Sequence, residues 1–261
     1  MSSLPEDIGQ LKRGKRIGQG AFSTVYLYKN HTTGNRVAVK AIYLQGLTRT
    51  KLKHVDREIH IHRLFNHKNI IQLFAPITDN RYAYLLMEVC DGGTLNAHVQ
   101  RSQQQRLDLG ETQLLFHQMV AAIEHVHNCS VIHRDVKPSN FLLSSNRQNV
   151  KLIDFGLATQ VEPGETKSTW CGTMNYMAPE IIGYIRSYNQ AVDIWALGCC
   201  FYFMLVGQCP FERKTIEDTL QAITSNKRTP IPENVFLSFN DDAVNIMDRM
   251  LTTVSSKRIT A

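Results

Sequence analysis

The sequence predicts an α+β protein of two lobes: a small lobe with an antiparallel β-sheet and one helix, then a larger lobe that is mainly helical. Residues 11–43 alternate polar and apolar in short runs, the pattern of three antiparallel strands joined by turns. Apolar residues then recur at helical spacing over 51–65. Beyond the turn signal at 91–93 the pattern becomes helical. A cleft between two such lobes would be the expected ligand site.

The remaining elements follow the same patterns. Two more strands are expected near 70–77 and 81–88, in the small lobe. In the larger lobe, helical spacing of apolar residues predicts a long amphipathic helix around 115–126 and another over 239–251. The run 191–206 is apolar on every side, which predicts a fully buried helix.

The composition limits the classes of partner. The chain of 261 residues is 43% hydrophobic, with 29 basic and 23 acidic side chains and a net charge of +6. No run of Lys and Arg is interleaved with aromatics, so we expect a solvated basic surface and no nucleic-acid partner. The first ten residues lack the features of a secretory signal. The longest apolar run is shorter than the roughly 20 residues of a membrane span, so no membrane is expected either. Six cysteines without a CxxC pair indicate free thiols, and the expected location is the cytoplasm or the nucleus.

A glycine-rich segment, residues 18–25 (GQGAFSTV), lies between two predicted strands. The dinucleotide fingerprint and the P-loop both open a helix, so this placement excludes them. A hairpin of this kind can bring backbone N–H groups over a triphosphate, because glycine has no Cβ to prevent close approach. Ser23 stands where the third glycine of the usual pattern would be, and a plain flexible hairpin explains the segment at least equally well.

Lys40 follows the apolar residues 37–39 on the third predicted strand. Such a lysine is often exposed at the surface; the alternative is that it points into the cleft as a cation for phosphate oxygens. An inward ammonium would need a carboxylate, because an unpaired buried charge is costly. Glu58 is the candidate, since it lies on the inner stripe of the following helix beside Val55 and His62. The alternative for Glu58 is a solvated side chain.

Three further segments decide between these alternatives. Residues 131–140 (VIHRDVKPSN) place an acid, two cations and an amide in one loop. A short apolar strand then leads to Asp154-Phe155-Gly156, and residues 177–180 (MAPE) follow. Each triplet is common by itself, but their ordered co-occurrence is not. On these residues the chain resembles the eukaryotic protein kinase family over its entire length.

The resemblance implies an ATP-dependent phosphotransferase that uses Mg²⁺. Asp135 would accept or orient the proton of the substrate hydroxyl, and Lys137 would neutralise charge on the transferring phosphoryl group. Lys40, braced by Glu58, would hold the α- and β-phosphates of ATP.

The resemblance also implies which residues hold metal and nucleotide. Asn140 and Asp154 would bind Mg²⁺ through oxygen atoms, the ligand type that magnesium prefers. The segment 18–25 would cover the phosphates, and the hinge after Met87 would bind adenine through its backbone. The expected nucleotide-binding residues are Ile17, Gly18, Gln19, Gly20, Ala21, Phe22, Ser23, Val25, Ala38, Lys40, Met87, Glu88, Cys90 and Leu142.

Two buried polar contacts are implied as well. Glu180 should pair with Arg258 and brace the surface that binds the protein substrate. Asp193 should accept hydrogen bonds from backbone N–H groups of the loop 131–140, which would explain a lone carboxylate in an otherwise apolar helix.

The substrate class follows from residues near the catalytic aspartate. Lys137 and the placement of Thr173, expected to hydrogen-bond both Asp135 and Lys137, resemble the serine/threonine branch of the family, so the partners would be protein substrates. Kinases that require basic residues in their substrates usually carry a glutamate at the positions of Thr94 and Ser139. Neither acid is present, and we expect weak dependence on an upstream arginine.

Regulation is implied by the loop 157–177, the activation loop of the family. Arg134 stands beside the catalytic aspartate, as in kinases that are switched on by phosphorylation of this loop. We expect Thr169 to be the phosphorylated residue and Arg134 to bind its phosphate. The alternative is that Thr169, Thr173 and the other hydroxyls are plain loop residues.

Within the family, four stretches look like the polo-like kinases, especially the branch that controls centriole duplication. Against this, Lys137-Pro138 is the generic kinase sequence and Met174 stands where proline is usual, so a calcium/calmodulin-type or checkpoint-like kinase stays open. A polo-like kinase would act at the centrosome or centriole, in the cytoplasm or in the nucleus. The four stretches are 58–62, 155–160, 168–173 and 205–211.

The expected organisation is an N-terminal extension, residues 1–10, and a kinase domain, residues 11–261, with an N-lobe over 11–89 and a C-lobe over 90–261. The chain ends before the last helix of the family, so we expect a longer protein with further domains or partners beyond its C-terminus.

A catalytically silent kinase-fold scaffold is the main rival and predicts loss of a key residue, yet Lys40, Asp135 and Asp154 are all present. A small-molecule kinase is the second rival; such enzymes usually lack the substrate-binding segment that ends in MAPE.

Overall fold

The chain forms two units. The first consists of Met1–His67 and Ile71–Cys90, and the second of Lys68–Ile70 and Asp91–Ala261. The first is a β-sheet with one helix and the second is mainly helical, which confirms the predicted α+β class. The computed structural model describes residues 5–20, 23–183, 187–236 and 241–261.

The described part of the first unit contains one six-stranded antiparallel sheet. Its strands are β1 (Asp7–Ile8), β2 (Leu11–Gln19), β3 (Ser23–Asn30), β4 (Arg36–Tyr43), β5 (Leu73–Thr78) and β6 (Tyr82–Met87). Their order across the sheet is β1-β2-β3-β4-β6-β5. The three strands predicted within 11–43 are present, and β1, which the sequence did not predict, pairs with β2. Helix α1 (Arg49–His62) follows β4 and begins after Thr48, whose hydroxyl accepts a hydrogen bond from the N–H of Lys51.

Strand β4 sends alternate side chains to opposite faces of this sheet. Val39 and Ala41 pack in one buried cluster with residues of β2, β3 and β6. Ile42 packs in a second cluster, which includes Val55 of α1. Lys40 lies two residues from Ile42, so the pleat places it on the face that α1 covers.

Where it is described, the second unit consists of helices and two small antiparallel sheets. Its α-helices are α2 (Leu95–Arg101), α3 (Leu109–Asn128), α4 (Pro179–Ile182), α5 (Ala191–Val206), α6 (Ile216–Thr224), α7 (Glu233–Phe236) and α8 (Asp241–Met250). Its strands are β7 (Val131–Ile132), β8 (Phe141–Leu143), β9 (Val150–Leu152) and β10 (Thr159–Gln160). β7 pairs with β10 and β8 with β9. Short 3₁₀ turns span Pro138–Asn140, Met174–Tyr176 and Ser255–Lys257.

Helix α5 is the core of the second unit and has the bounds predicted from its apolar run. All its residues from Val192 to Leu205 are buried. Trp195 stacks on Phe211, with 5.2 Å between the ring centroids. A Cβ on Gly198 would lie 2.9 Å from Leu251 Cδ2, so the glycine permits the residues after α8 to approach the helix. Even so, α5 does not qualify as a membrane span, and neither does another helix of the described ranges.

Candidate active site

Lys40 and Glu58 form an ion pair in the first unit, with 2.6 Å between Lys40 Nζ and Glu58 Oε1. Lys40 is on the face of β4 that α1 covers, and Glu58 belongs to the buried stripe of α1. Their side chains are only 15% and 9% exposed, respectively. The alternative of two solvated surface charges is therefore excluded, because each satisfies the other in a mostly buried setting.

Several expected nucleotide-binding residues share one face of the same sheet. Val25 lies opposite Lys40 in the β3–β4 pair. Ala38 lies opposite Met87 in the β4–β6 pair. Directly opposed residues of neighbouring strands project to the same face, so these four side chains form one patch beside the Lys40–Glu58 pair.

The glycine-rich segment is the hairpin between β2 and β3. Gly18 is paired with Val25, and Gln19 with Thr24. The N–H of Gly20 donates to the carbonyl of Ser23 over 2.8 Å. Ile17, just before the glycines, is 45% exposed, an apolar side chain left uncovered. The remaining two residues predicted here, Ala21 and Phe22, lie outside the described residues.

Three more of the expected nucleotide-binding residues follow the sheet in the sequence. Glu88 follows β6; its N–H donates to the carbonyl of Gln72 over 3.0 Å and its carboxylate accepts from the N–H of Gln72 over 3.3 Å. Cys90 ends the first unit and is partly buried. Leu142 belongs to the second unit, in β8 opposite Lys151.

In the second unit, the carboxylate of Asp135 is held by three side chains. Thr173 Oγ1 donates to Asp135 Oδ1 over 2.7 Å. Lys137 Nζ lies 2.7 Å from Asp135 Oδ2 and also donates to Thr173 Oγ1 over 2.7 Å. Asn140 Nδ2 donates to Oδ2 over 3.0 Å and to the carbonyl of Asp135 over 2.8 Å. The structure thus brings together the acid, the cation and the hydroxyl that the sequence analysis expected to interact.

Asp193 of α5 anchors the loop that carries Asp135 through hydrogen bonds to the backbone of the loop. Asp193 Oδ2 accepts from the N–H of His133 over 2.8 Å, and Oδ1 accepts from the N–H of Arg134 over 2.9 Å. His127 Nε2 lies 2.9 Å from Oδ2. Burial alone would raise the pKa of Asp193, but the hydrogen bond and charge of His127 and the bond from His133 outweigh it, so the pKa lies below its ordinary value. The predicted contact of Asp193 with this loop is confirmed.

Asn140 and Asp154 lie at one end of the β8–β9 pair. Asn140 directly precedes β8, and the N–H of Ile153, just after β9, donates to the Asn140 carbonyl over 2.9 Å. Asp154 has a φ of 65°, a left-handed conformation that few non-glycine residues adopt and that often marks a functional position. Because Asn140 donates through Nδ2, its oxygen Oδ1 faces no donor within the described residues. The carboxylate of Asp154 and the amide oxygen of Asn140 would suit Mg²⁺, which prefers oxygen ligands.

The loop 157–177 approaches the loop 131–140 at Gly172. Its φ is 111°, and a Cβ there would lie 2.7 Å from the carbonyl oxygen of Arg134, so only glycine fits without strain. Arg134 is buried and donates to the carbonyl of Leu157 over 2.6 Å. Thr169 is exposed at the surface of the second unit. The structure therefore presents the expected phosphorylation site to solvent and keeps Arg134 beneath the same loop.

Comparison with known proteins agrees with this arrangement. Residues 11–261 match the family model for the protein kinase domain. The chain belongs to the protein kinase family. The motifs quoted above therefore lie in a kinase domain that covers nearly the whole chain.

Individual relatives of this kinase domain come from different subgroups. A probable myosin light chain kinase of Dictyostelium discoideum is 36% identical over 252 residues, 95% of this chain and 63% of that protein. The probable serine/threonine-protein kinase CCRP1 of Zea mays is 34% identical over 253 residues, 96% of this chain and 40% of that protein. Serine/threonine-protein kinase PLK4 of Xenopus laevis is 36% identical over 209 residues, 79% of this chain and 22% of that protein. The chain thus spans between about a fifth and two thirds of these relatives.

The kinase domain also contains the predicted pair of Glu180 and Arg258. Arg258 Nη1 and Nη2 donate to the two carboxylate oxygens of Glu180 over 2.7 and 3.0 Å. Nη1 also donates to the carbonyl of Ala191 over 2.7 Å, and the guanidinium lies over the ring of Trp195 at 5.2 Å. This two-pronged, buried pair ties the MAPE segment to the start of α5.

Sequence reasoning missed two side chains that support the site. His127 of α3 was not expected to reach Asp193, and Tyr188 was not singled out at all. Tyr188 accepts a hydrogen bond from Arg134 Nη1 over 3.2 Å and donates one to the carbonyl of Thr169 over 2.9 Å. Tyr188 stands alone before an apolar helix, and nothing in that pattern indicates its hydrogen bonds. His127 lies on the same helix face as apolar residues, which is a weak indication of a buried contact.

Proposed function

We propose that this chain is a serine/threonine protein kinase that transfers the γ-phosphate of ATP to hydroxyl groups of proteins. The observation that carries the proposal is the arrangement around Asp135, whose carboxylate is held by Thr173, Lys137 and Asn140. An acid fixed beside a lysine and a threonine is suited to orienting a hydroxyl nucleophile.

In the proposed reaction, the oxygen of a substrate serine or threonine forms a bond to the γ-phosphorus of ATP, and the bond from that phosphorus to the β-phosphate oxygen breaks, releasing ADP. Asp135 receives or orients the hydroxyl proton. Lys137 lies against the same carboxylate and would balance negative charge on the phosphoryl group. Lys40, held by Glu58, would bind the α- and β-phosphates.

Magnesium fits the oxygen atoms of Asn140 and Asp154. When bound, Mg²⁺ would neutralise charge on the phosphates. Asn140 would have a second task, because its amide N–H group fixes Asp135 while its oxygen is available to the metal. The residues that we propose to contact the adenine base are Val25, Ala38, Met87 and Leu142.

The direct test is transfer of radiolabelled phosphate from ATP to a degenerate peptide library in the presence of Mg²⁺. We expect phosphoserine and phosphothreonine, no phosphotyrosine, and weak dependence on an upstream arginine because Thr94 and Ser139 are not acids. Lys40→Met should remove most of the transfer, whereas Lys12→Met, at an exposed position of β2, should not. Wild-type chain that binds ATP but transfers no phosphate to any peptide would refute the proposal in favour of a silent scaffold.

Within the family we propose the polo-like group. The stretches 58–62, 155–160, 168–173 and 205–211 support this, and PLK4 of Xenopus laevis is among the relatives. A calcium/calmodulin-type kinase is the second candidate, favoured by the similarity to a probable myosin light chain kinase over 95% of this chain. A strong arginine requirement in the peptide library would favour the second candidate.

We further propose that residues 11–261 act as the kinase domain, with lobes at 11–89 and 90–261 and an extension at 1–10, within a longer polypeptide that has further domains or partners. A polo-like function would place the protein in the cytoplasm, at the centrosome or centriole, or in the nucleus. Imaging of the tagged full-length protein together with a centriole marker tests this; exclusion from all three locations would contradict it.

A further inference from the structure

The hydroxyl of Tyr188 connects two parts of the second unit that lie far apart in the sequence. It accepts a hydrogen bond from Arg134 Nη1 over 3.2 Å and donates to the carbonyl of Thr169 over 2.9 Å. The backbone of Tyr188 also pairs with Lys167, through N–H to carbonyl bonds of 2.8 and 3.0 Å. One residue thus holds both the arginine beside Asp135 and the activation loop around Thr169.

In the part of the chain that the structure describes, the bond to Tyr188 is one of two hydrogen bonds that the Arg134 side chain makes. Within the described residues no carboxylate pairs with Arg134, although the residue is only 8% exposed. Its guanidinium is satisfied instead by two neutral oxygens, the carbonyl of Leu157 and the hydroxyl of Tyr188. A buried cation that loses such a partner is destabilised, so the bond to Tyr188 matters to the position of Arg134.

Tyr188 is well placed for this task. It is 2% exposed, and burial raises the pKa of its phenol, partly opposed by Arg134. The hydroxyl therefore stays protonated, so that it can accept from the guanidinium and donate to the carbonyl at the same time. A second hydrogen bond of the same region, from Ser187 Oγ to Thr166 Oγ1 over 3.0 Å, fixes the neighbouring part of the loop.

We propose that Tyr188 is a positioning residue that orders the activation loop while Thr169 is unphosphorylated, by connecting it to Arg134. The inference rests on the proposed kinase function and on Thr169 as the regulatory site. It follows that the unphosphorylated kinase has a basal activity that depends on the Tyr188 hydroxyl. A phosphate on Thr169 would bring its own charge to Arg134, and the hydroxyl would then matter less.

The decisive variant is Tyr188→Phe in the full chain, because it removes only the hydroxyl and keeps the buried ring. The matched control is Tyr202→Phe in α5. It also removes a buried hydroxyl, one that donates to the carbonyl of Thr229 over 2.8 Å. In phosphatase-treated protein we expect Tyr188→Phe to lower kcat by a factor on the order of ten to one hundred, the range of one hydrogen bond to a charged group. The KM for ATP should stay within twofold, as should every parameter of the control. After phosphorylation of Thr169, verified by mass spectrometry, the deficit of Tyr188→Phe should shrink to less than threefold.

A second measurement does not require activity. The chain has two tryptophans: Trp170, next to Thr169 and 44% exposed, and Trp195, fully buried. Acrylamide quenching of fluorescence therefore reports mainly on Trp170. Tyr188→Phe should raise the quenching constant toward that of the urea-unfolded chain, and amide hydrogen exchange at Lys167 should become faster. Tyr202→Phe should change neither.

The outcomes separate this inference from the proposed function. If Tyr188→Phe matches the wild type in quenching, exchange and unphosphorylated kcat, the inference is overturned and the kinase function stands. If the wild type transfers no phosphate, the kinase function fails, and the quenching and exchange results still decide whether Tyr188 orders the loop. Should Tyr188→Phe not fold, Arg134→Gln tests the same link from its other end: unchanged quenching of Trp170 would overturn the inference. Where both variants fold, the double variant should be no worse than the poorer single one, because both remove one link.

Discussion

The two units hold their key charged residues in different ways. In the first unit, Glu58 has one partner within the described residues, Lys40, at 2.6 Å. The pair joins a strand to a helix, so any shift of α1 relative to β4 breaks it. In the second unit, Asp135 has three side-chain partners, and its loop is anchored to α5 through two backbone N–H bonds to Asp193.

This difference indicates how each half can be regulated. A single contact between a strand and a helix can be formed or lost with little rearrangement, which suits a switch. A carboxylate held several times over in one loop is preorganised, which suits the chemical step. Substitutions should therefore distinguish the two units. Losing one of the three contacts of Asp135 should have a small effect, whereas losing the Lys40–Glu58 ion pair should have a larger one.

The largest effect is expected for Asp135→Asn, which keeps the shape but cannot take the substrate proton. We expect kcat to fall about 10²- to 10⁴-fold, the usual contribution of a positioned general base. The KM for ATP should change little. Asp248→Asn, at an exposed surface pair with Arg228, is the matched control and should retain full activity. Steady-state kinetics with a peptide substrate measures both, and a kcat within tenfold of wild type would contradict the role of Asp135.

The second effect concerns stability and tests the anchor below the loop. Asp193→Asn removes a buried charge that accepts from His127 and from two backbone N–H groups. Losing one member of a buried, hydrogen-bonded set costs about 3–5 kcal/mol, so the free energy of unfolding should fall by that order. Urea denaturation measures it. A loss below about 1 kcal/mol would show that the anchor contributes little to folding.

The same carboxylate predicts a pH dependence. Because the pKa of Asp193 is lowered in the folded protein, its stabilisation is complete above the unfolded value of about 3.9 and is lost as the pH falls through the folded value. Acid unfolding followed by circular dichroism should show a wild-type loss of stability below about pH 4 that is shallower in Asp193→Asn. Identical slopes for both proteins would exclude Asp193 as a source of the acid sensitivity.

The sequence predicted which side chains are buried wherever burial follows from the periodicity of one helix or strand. Glu58 was found on the inner stripe of a helix, and Asp193 stood out as the lone carboxylate in an apolar helix, because period and composition report on burial. Tyr188 was missed because its bonds join residues 54 and 19 positions apart, which no local pattern reports. Strand β1 was missed because a two-residue strand carries no measurable alternation. The sequence left open whether Lys40 and Glu58 are solvated or form an inward ion pair. Only the packing of α1 on the sheet decides this.

A smaller loss of activity is expected for Glu58→Gln, which replaces the carboxylate that pairs with Lys40 by a neutral amide. A hydrogen bond to a charged group contributes about 1.5–3 kcal/mol, so kcat/KM for ATP should fall by a factor on the order of ten to one hundred. Asp56→Asn, on the exposed side of the same helix, is the control and should behave as wild type. Equal activity of Glu58→Gln and Asp56→Asn would mean that Lys40 is held in place by other contacts.

The smallest loss of activity is expected at Thr173, because two other side chains also hold the carboxylate of Asp135. Thr173→Val keeps the volume and removes the hydroxyl that bonds Asp135 and Lys137, while the Asn140 and Lys137 contacts with Asp135 remain. Two hydrogen bonds to charged groups are lost, but Asn140 and Lys137 still hold Asp135, so we expect kcat to fall only about threefold to tenfold. Thr173→Ser retains the hydroxyl and should stay within twofold of wild type, as should Thr224→Val, whose hydroxyl bonds only within α6. If Thr173→Ser is as slow as Thr173→Val, the methyl group of Thr173 supports Asp135 and its hydroxyl does not. The hydrogen bond from Thr173 to Asp135 would then contribute nothing to activity.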